Sequence, residues 1–308
     1  MSVSAVWVKH SLVLQPVALA SPVVLGALTR LSMPTGTTLE TDQTDPTLFP
    51  DFISIGKRKP TMAWGTTAIA RYLTNLGLGA TCINSDVSHP GLAAYFQKRL
   101  CNGPASGSVH ESFTYGSGLV VPAQLSVSHR SPAQLSYSFM SQYRSTAAAV
   151  IRTSGVALPS LPVAAAEKYD LYEFAVGGSA FGQRTSVSID FNPRLYELGA
   201  DGEIEDSFIA LESFYPRITA RGFSLPSFGS FDLDGQVCAH GDSHVILRKR
   251  GVALTTAEHV KITFQGLATV DMIHEADKHS PSEDTIMVDC GQDASNGAFV
   301  FDETYAIE

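Results

Sequence analysis

The stretch AQLSVSHRSPAQLSYSF, residues 123–139, constrains the fold more than any other part of the chain. Leu125 and Val127 alternate with serines before a break, and Leu135, Tyr137 and Phe139 alternate with serines after it. A period of two belongs to a β-strand, whose successive side chains point to opposite faces. The break, RSPA, carries Pro132, whose fixed φ and missing N–H suit a turn. The stretch predicts a hairpin with one apolar face and one serine face.

The same period recurs in SVSIDF (186–191), through Val187, Ile189 and Phe191, and in HVKITF (259–264), through Val260, Ile262 and Phe264. LESFYPRI (211–218) is less regular, and Pro216 suits an edge strand or a bulge. Asp234-Gly235 is a two-residue hairpin signal. Helix is scarce. In GTTAIARYLTNLG (65–77), Ile69, Tyr72, Leu73 and Leu76 fall at helical spacing, with Thr66 or Thr67 as N-cap and Gly77 as C-cap. In GLAAYFQKRL (91–100), Leu92, Phe96 and Leu100 form a second stripe after Pro90. Residues 33–51 and 274–285 read as long polar loops, and 197–206 as a short acidic one.

These readings predict a mainly β chain, a β-sandwich or barrel with one or two short helices and long loops. It is taken as a single domain over 1–308, with a polar loop or arm at about 33–51 and a helical insertion at about 65–100. An apolar fraction of 44% supports a sizeable core. Charged residues are only 17%, against about 25% in an average domain. The surface is therefore built from small polar residues, or much of it is covered by partners.

The net charge of −9 lacks the basic stripe of a free-standing nucleic-acid binder. The basic runs Lys57-Arg58-Lys59 and Arg248-Lys249-Arg250 are short and read as solvated turns. The cysteines at 82, 101, 238 and 290 form no C-x-x-C pair and read as reduced thiols. The uncharged stretch from Ser11 to Thr29 is interrupted by Pro16 and Pro22, which argues against a signal peptide and against a membrane span.

CAHGDSH (238–244) gathers the residue types of chemistry. His240, Asp242 and His244 would be the ligands of a metal-dependent hydrolase, with 274–279 (His274, Glu275, Asp277, His279) as further donors. On an extended strand, however, His240 and His244 stand about 13 Å apart, so a tight loop is required. Gly241-Asp242-Ser243 resembles the opening of a lipase-esterase nucleophile motif, but His244 stands where Leu is needed and the position is late in the chain. Glu203, Glu205 and Asp206 read as a solvated acidic turn rather than an acid/base pair. Trp7, Trp64 and the aromatics at 169, 172 and 174 read as core. No catalytic, cofactor or metal residue is assigned.

At 186–223 and 258–272 the texture resembles bacteriophage virion proteins, in particular tail tube (major tail) proteins. In those families a strand like VSIDF is followed by an acidic loop and a returning segment like YPRITARG. The resemblance implies a β-sandwich whose strands join those of neighbours into rings, which stack into a hollow tube with an acidic lumen for DNA passage. The implied partners are other copies of the chain and other tail proteins, with DNA passing without specific binding, no membrane and no cofactor. The implied location is the virion tail, assembled in the host cytoplasm. The basic runs at 57–59 and 248–250 would then meet a neighbour's acidic loops. Besides the hydrolase, the other alternative is a β-sandwich carbohydrate-binding module with aromatics on one face.

Overall fold

The computed structural model describes residues 6–16, 21–42, 50, 52–79, 91–143, 148–162, 167–182, 184–199, 202–223, 235–239, 241–275, 283–292 and 297–307. Strand makes up 62% of the structure and helix 3%, so the mainly β expectation holds. The strands form several antiparallel sheets in a sandwich-like arrangement, and among the described residues no sheet closes into a barrel.

A nine-stranded sheet runs in the order Gln236–Cys238, Gly266–Glu275, Glu283–Cys290, Arg217–Gly222, Arg184–Asp190, Gly118–Ser128, Gln134–Ser141, Thr61–Thr66, Leu28–Ser32. A five-stranded sheet orders Ser179–Ala180, Tyr169–Val176, His244–Lys249, His259–Phe264 and Phe299–Tyr305. A six-stranded sheet orders Val150–Val156, His110–Tyr115, Leu92–Leu100, Val6–Leu14 and Val23–Leu25, with Gly103–Pro104 beside Leu92–Leu100. Two ribbons stand apart, Thr37–Asp42 with Phe52–Arg58 and Pro193–Leu198 with Phe208–Phe214.

The serine-alternating hairpin forms in the expected register, with Leu125 opposite Leu135. Leu125, Val127, Leu135, Tyr137 and Phe139 are all buried in a core cluster that draws on the three large sheets. Ser126, Ser136 and Ser138 line a groove on the other face. The strand Arg184–Asp190 flanks the hairpin and buries Val187 and Ile189, while Val260, Ile262 and Phe264 are buried from the five-stranded sheet. Trp64, Tyr169 and Phe174 are core as expected, whereas Trp7 is exposed and Tyr172 half-buried. Pro216 lies between two strands, and its carbonyl accepts the N–H of Cys290 at 2.9 Å.

The helix spans Ile69–Leu76 and buries the expected four residues. The N-cap is Ala68 rather than the expected Thr66 or Thr67, and no side chain caps the helix. Thr66 instead accepts the N–H of Ala68 at 3.1 Å, while Gly77, the expected C-cap, at φ +52°, donates its N–H to Leu73. The Tyr72 hydroxyl donates to Gly26 and the Tyr137 hydroxyl to Gly77, so the helix is tied to the strands beneath it. Burial raises the pKa of both phenols above the ordinary value, which keeps them neutral donors.

The second expected helix is a correction. Leu92–Leu100 is a strand, paired with Val6–Leu14 on one side and His110–Tyr115 on the other. Leu92, Phe96 and Leu100 are four apart, and four is also two strand periods, so their stripe fits either element. Among the described residues of the 65–100 insertion, helix is therefore confined to Ile69–Leu76. The long loops are also shorter than expected. Thr37–Asp42 inside 33–51 is a strand, and strands run to Glu275 and restart at Glu283 inside 274–285. The apolar stretch near the N-terminus is likewise used in sheets, as Val6–Leu14 and Val23–Leu25. Among the described residues no helix is long and apolar enough to cross a membrane.

Candidate functional site

The segment 238–244 joins the edge strand of the nine-stranded sheet to the middle of the five-stranded one. Between them the chain turns sharply through Gly241, at φ +97°. The turn is held by a neighbouring glycine turn. Gly177 donates its N–H to the Ser243 hydroxyl oxygen at 2.9 Å, and Gly178 donates to the Asp242 carbonyl at 2.7 Å. Ser243 is 0% exposed and its hydroxyl is already committed, so it cannot act as a nucleophile on a substrate.

His244 points its Nε2 at Glu173, 3.0 Å away. Asp242 is exposed in the turn. His240, Asp277 and His279 and the side chains of His274 and Glu275 lie outside the described residues. Among the described residues no group of three or more His, Cys, Asp or Glu could hold a metal. Cys238 and Cys290 both sit opposite Gly266, on either side of it. Burial raises both thiols, Cys290 to about 12, so both stay protonated and unreactive.

The second concentration of unusual residues lies where the two ribbons meet. The ribbon Pro193–Leu198/Phe208–Phe214 packs its inner face, through Ile209, Leu195 and Leu211, on Leu119, Val121 and Met140 of the nine-stranded sheet. Its outer face presents Tyr196, Leu198 and Phe208 to solvent. Leu198 is opposite Phe208, and the rings of Tyr196 and Phe208 meet edge-on at 6.4 Å.

The other ribbon is an arm. In its register Leu39 is opposite Ile55 and Thr41 opposite Ile53, so Leu39, Ile53 and Ile55 share one face. Phe52, opposite Asp42, is on the other. Leu39 and Ile53 are each 64% exposed and Phe52 56%. The polar loop or arm expected at about 33–51 takes in the first strand, Thr37–Asp42, but the expected boundary stops just short of the second, Phe52–Arg58. The visible signal was FISI beside TTLETD.

The arm is tied to the other ribbon at its root. Arg58 donates its backbone N–H to the Ile204 carbonyl at 2.7 Å. Lys57 pairs with Asp206 at 3.1 Å, Arg58 with Glu205, and Lys59 with Glu197. Glu205 and Asp206 are buried, so these are not solvated carboxylates as expected. The basic run at 57–59 therefore meets the acidic loop of its own chain. The run at 248–250 does likewise, through Lys249 with Glu258 and Glu167 and Arg250 with Asp170.

No protein-family model matches the chain, and a search of curated proteins gives no match.

Proposed function

We propose that this chain is a structural protein that works by self-assembly, with the Thr37–Arg58 arm and the outer face of the neighbouring ribbon as its joining surfaces. The observation that carries this reading is the arm itself: a two-stranded hairpin, exposed on both faces, with Leu39, Ile53 and Ile55 aligned on one of them. A lone hairpin is marginal in water. Burying each such side chain would stabilise an assembly by about 1.5–3 kcal/mol.

A second copy is the partner that fits. Val150–Val156, Phe299–Tyr305 and Leu28–Ser32 are edge strands of the described sheets, and an open edge accepts an added strand. The cationic runs are already used inside the chain, so this surface does not offer nucleic acid a basic track. The low charged fraction of 17% suits surface that becomes interface.

The form of assembly proposed is the bacteriophage tail tube, built in the host cytoplasm as part of the virion. The likeness of 186–223 and 258–272 to tail tube proteins supports it. Because Lys57, Arg58 and Lys59 pair with Asp206, Glu205 and Glu197, any acidic lumen would draw on carboxylates other than these three. Electron microscopy and light scattering of the purified chain, over a range of concentration and salt, test the proposal. Rings or tubes are expected. Discrete monomers under every condition would overturn it.

A further inference from the structure

A separate feature lies at the turn of the serine hairpin. Arg130 has φ +63°, a conformation that residues with a β-carbon seldom adopt. Glycine would sit there without strain. A strained position held by a long cationic residue points to something its side chain does.

Arg130 lines a cavity of about 260 Å³, together with Ser128, His129, Asp170, Leu171 and Arg184. Arg184 is half-buried and donates through Nη2 to the Tyr172 carbonyl at 2.7 Å. Burial pulls its pKa below the ordinary arginine value, and Glu173 offsets this only in part, through space. Among the described residues neither Arg130 nor Arg184 has an ion-pair partner within 4 Å. Asp170 is the one carboxylate lining the cavity, and Arg250 already holds it through two hydrogen bonds of 2.7 and 2.5 Å. An acidic chain of net charge −9 thus keeps a cavity with two guanidiniums, a histidine and a hydroxyl, and its only carboxylate neutralised.

We propose that this cavity binds an oxyanion, the phosphate or carboxylate group of a small ligand, between the guanidiniums of Arg130 and Arg184. The planar fork of a guanidinium donates two parallel hydrogen bonds to either group. Arg184, held by a carbonyl and partly desolvated, is the fixed half of the clamp. Arg130, on the exposed turn, is the half free to close on the anion. The volume exceeds that of the anion alone, which leaves room for the body of a small molecule.

The test is calorimetric titration of the full chain with inorganic phosphate, and separately with acetate, at constant ionic strength. Each is repeated on Arg130→Gly and Arg184→Gln. Saturable binding to the natural sequence is expected, weakened at least tenfold in either variant. Arg130→Gly is the decisive variant, because glycine relaxes the turn and its thermal midpoint without anion should be no lower. Saturation by phosphate assigns a phosphate group and saturation by acetate a carboxylate; both outcomes support the site. Unchanged affinity in Arg130→Gly, or no saturation by either anion, overturns it.

Discussion

Two hairpins of this protein are built from the same kind of alternating sequence and meet opposite fates. In the hairpin of Gly118–Ser128 with Gln134–Ser141, Leu135, Tyr137 and Phe139 are 0% exposed. In the arm of Thr37–Asp42 with Phe52–Arg58, Leu39 and Ile53 are 64% exposed. Both are antiparallel and both place apolar residues on a shared face. The difference is in what lies beside and beneath them. Each strand of the first hairpin has a second hydrogen-bonded neighbour, Arg184–Asp190 or Thr61–Thr66, and the apolar face rests on the core. The arm has no further strand among the described residues. Alternation makes a strand in either case. Only a covering layer turns its apolar face into stability.

The largest effect is expected where that layer is complete. Phe139 meets the ring of Tyr115 edge-on at 5.3 Å and lies opposite Met62 across the sheet. Phe139→Ala should cost about 3–5 kcal/mol, because the cavity it leaves cannot collapse in a sheet fixed on both sides. Urea denaturation would show it as a lower midpoint with an unchanged slope. A loss below about 1 kcal/mol would mean that this hairpin is no better packed than an ordinary surface site, and the contrast with the arm would fail.

An intermediate effect is expected at the root of the arm, where the two regions are joined. Arg58 is 39% exposed, but its partner Glu205 is only 4% exposed and its Oε2 has no hydrogen-bond partner. Arg58→Ala would strand that carboxylate, at a cost of about 1–3 kcal/mol, toward the low end because water reaches the arginine side. Adding Glu205→Gln should return most of the loss, since a neutral amide tolerates the site better than an unpaired charge. If the double variant is as unstable as the single one, the root is held by packing and not by charge.

The sequence carried these regions to different depths. Period two at 123–139, 186–191 and 259–264 was sufficient because within each stretch the large apolar residues fall on one parity and are buried. The helix at Ile69–Leu76 was legible because Tyr72 and Leu76 stand at odd offsets from Ile69 or Leu73, an arrangement no strand face can match. At Leu92–Leu100 all the marked offsets were even, so the pattern could not choose, and pairing on both edges decided it. The charge runs at 57–59 and 197–206 were visible, but their meeting was not, because it depends on two ribbons brought together from distant parts of the chain. CAHGDSH shows the converse: its residue types suggested chemistry, and its place between two sheets buried Ser243 as a hydrogen-bond acceptor.

The smallest effect on stability, and the sharpest test of the comparison, belongs to the arm's apolar face. Leu39, Ile53 and Ile55 make a strip that water covers in the single chain. Replacing Ile53 and Ile55 by serine gives the arm a face like the serine side of the other hairpin, with alternation and register kept. The unfolding midpoint of the single chain should then shift by no more than about 0.5 kcal/mol, as for other surface positions away from packed features. Assembly should be lost, because the side chains that a second copy would bury are gone. Sedimentation velocity at several concentrations, run beside urea denaturation, reads both quantities on the same material. A loss of stability approaching that of Phe139→Ala would show the strip to be packed within the monomer and would remove the basis for arm-mediated assembly. Unchanged stability with unchanged assembly would place the contact on the outer face of the ribbon, at Tyr196, Leu198 and Phe208. The same pair of measurements on Tyr196→Ser and Phe208→Ser then separates the two surfaces.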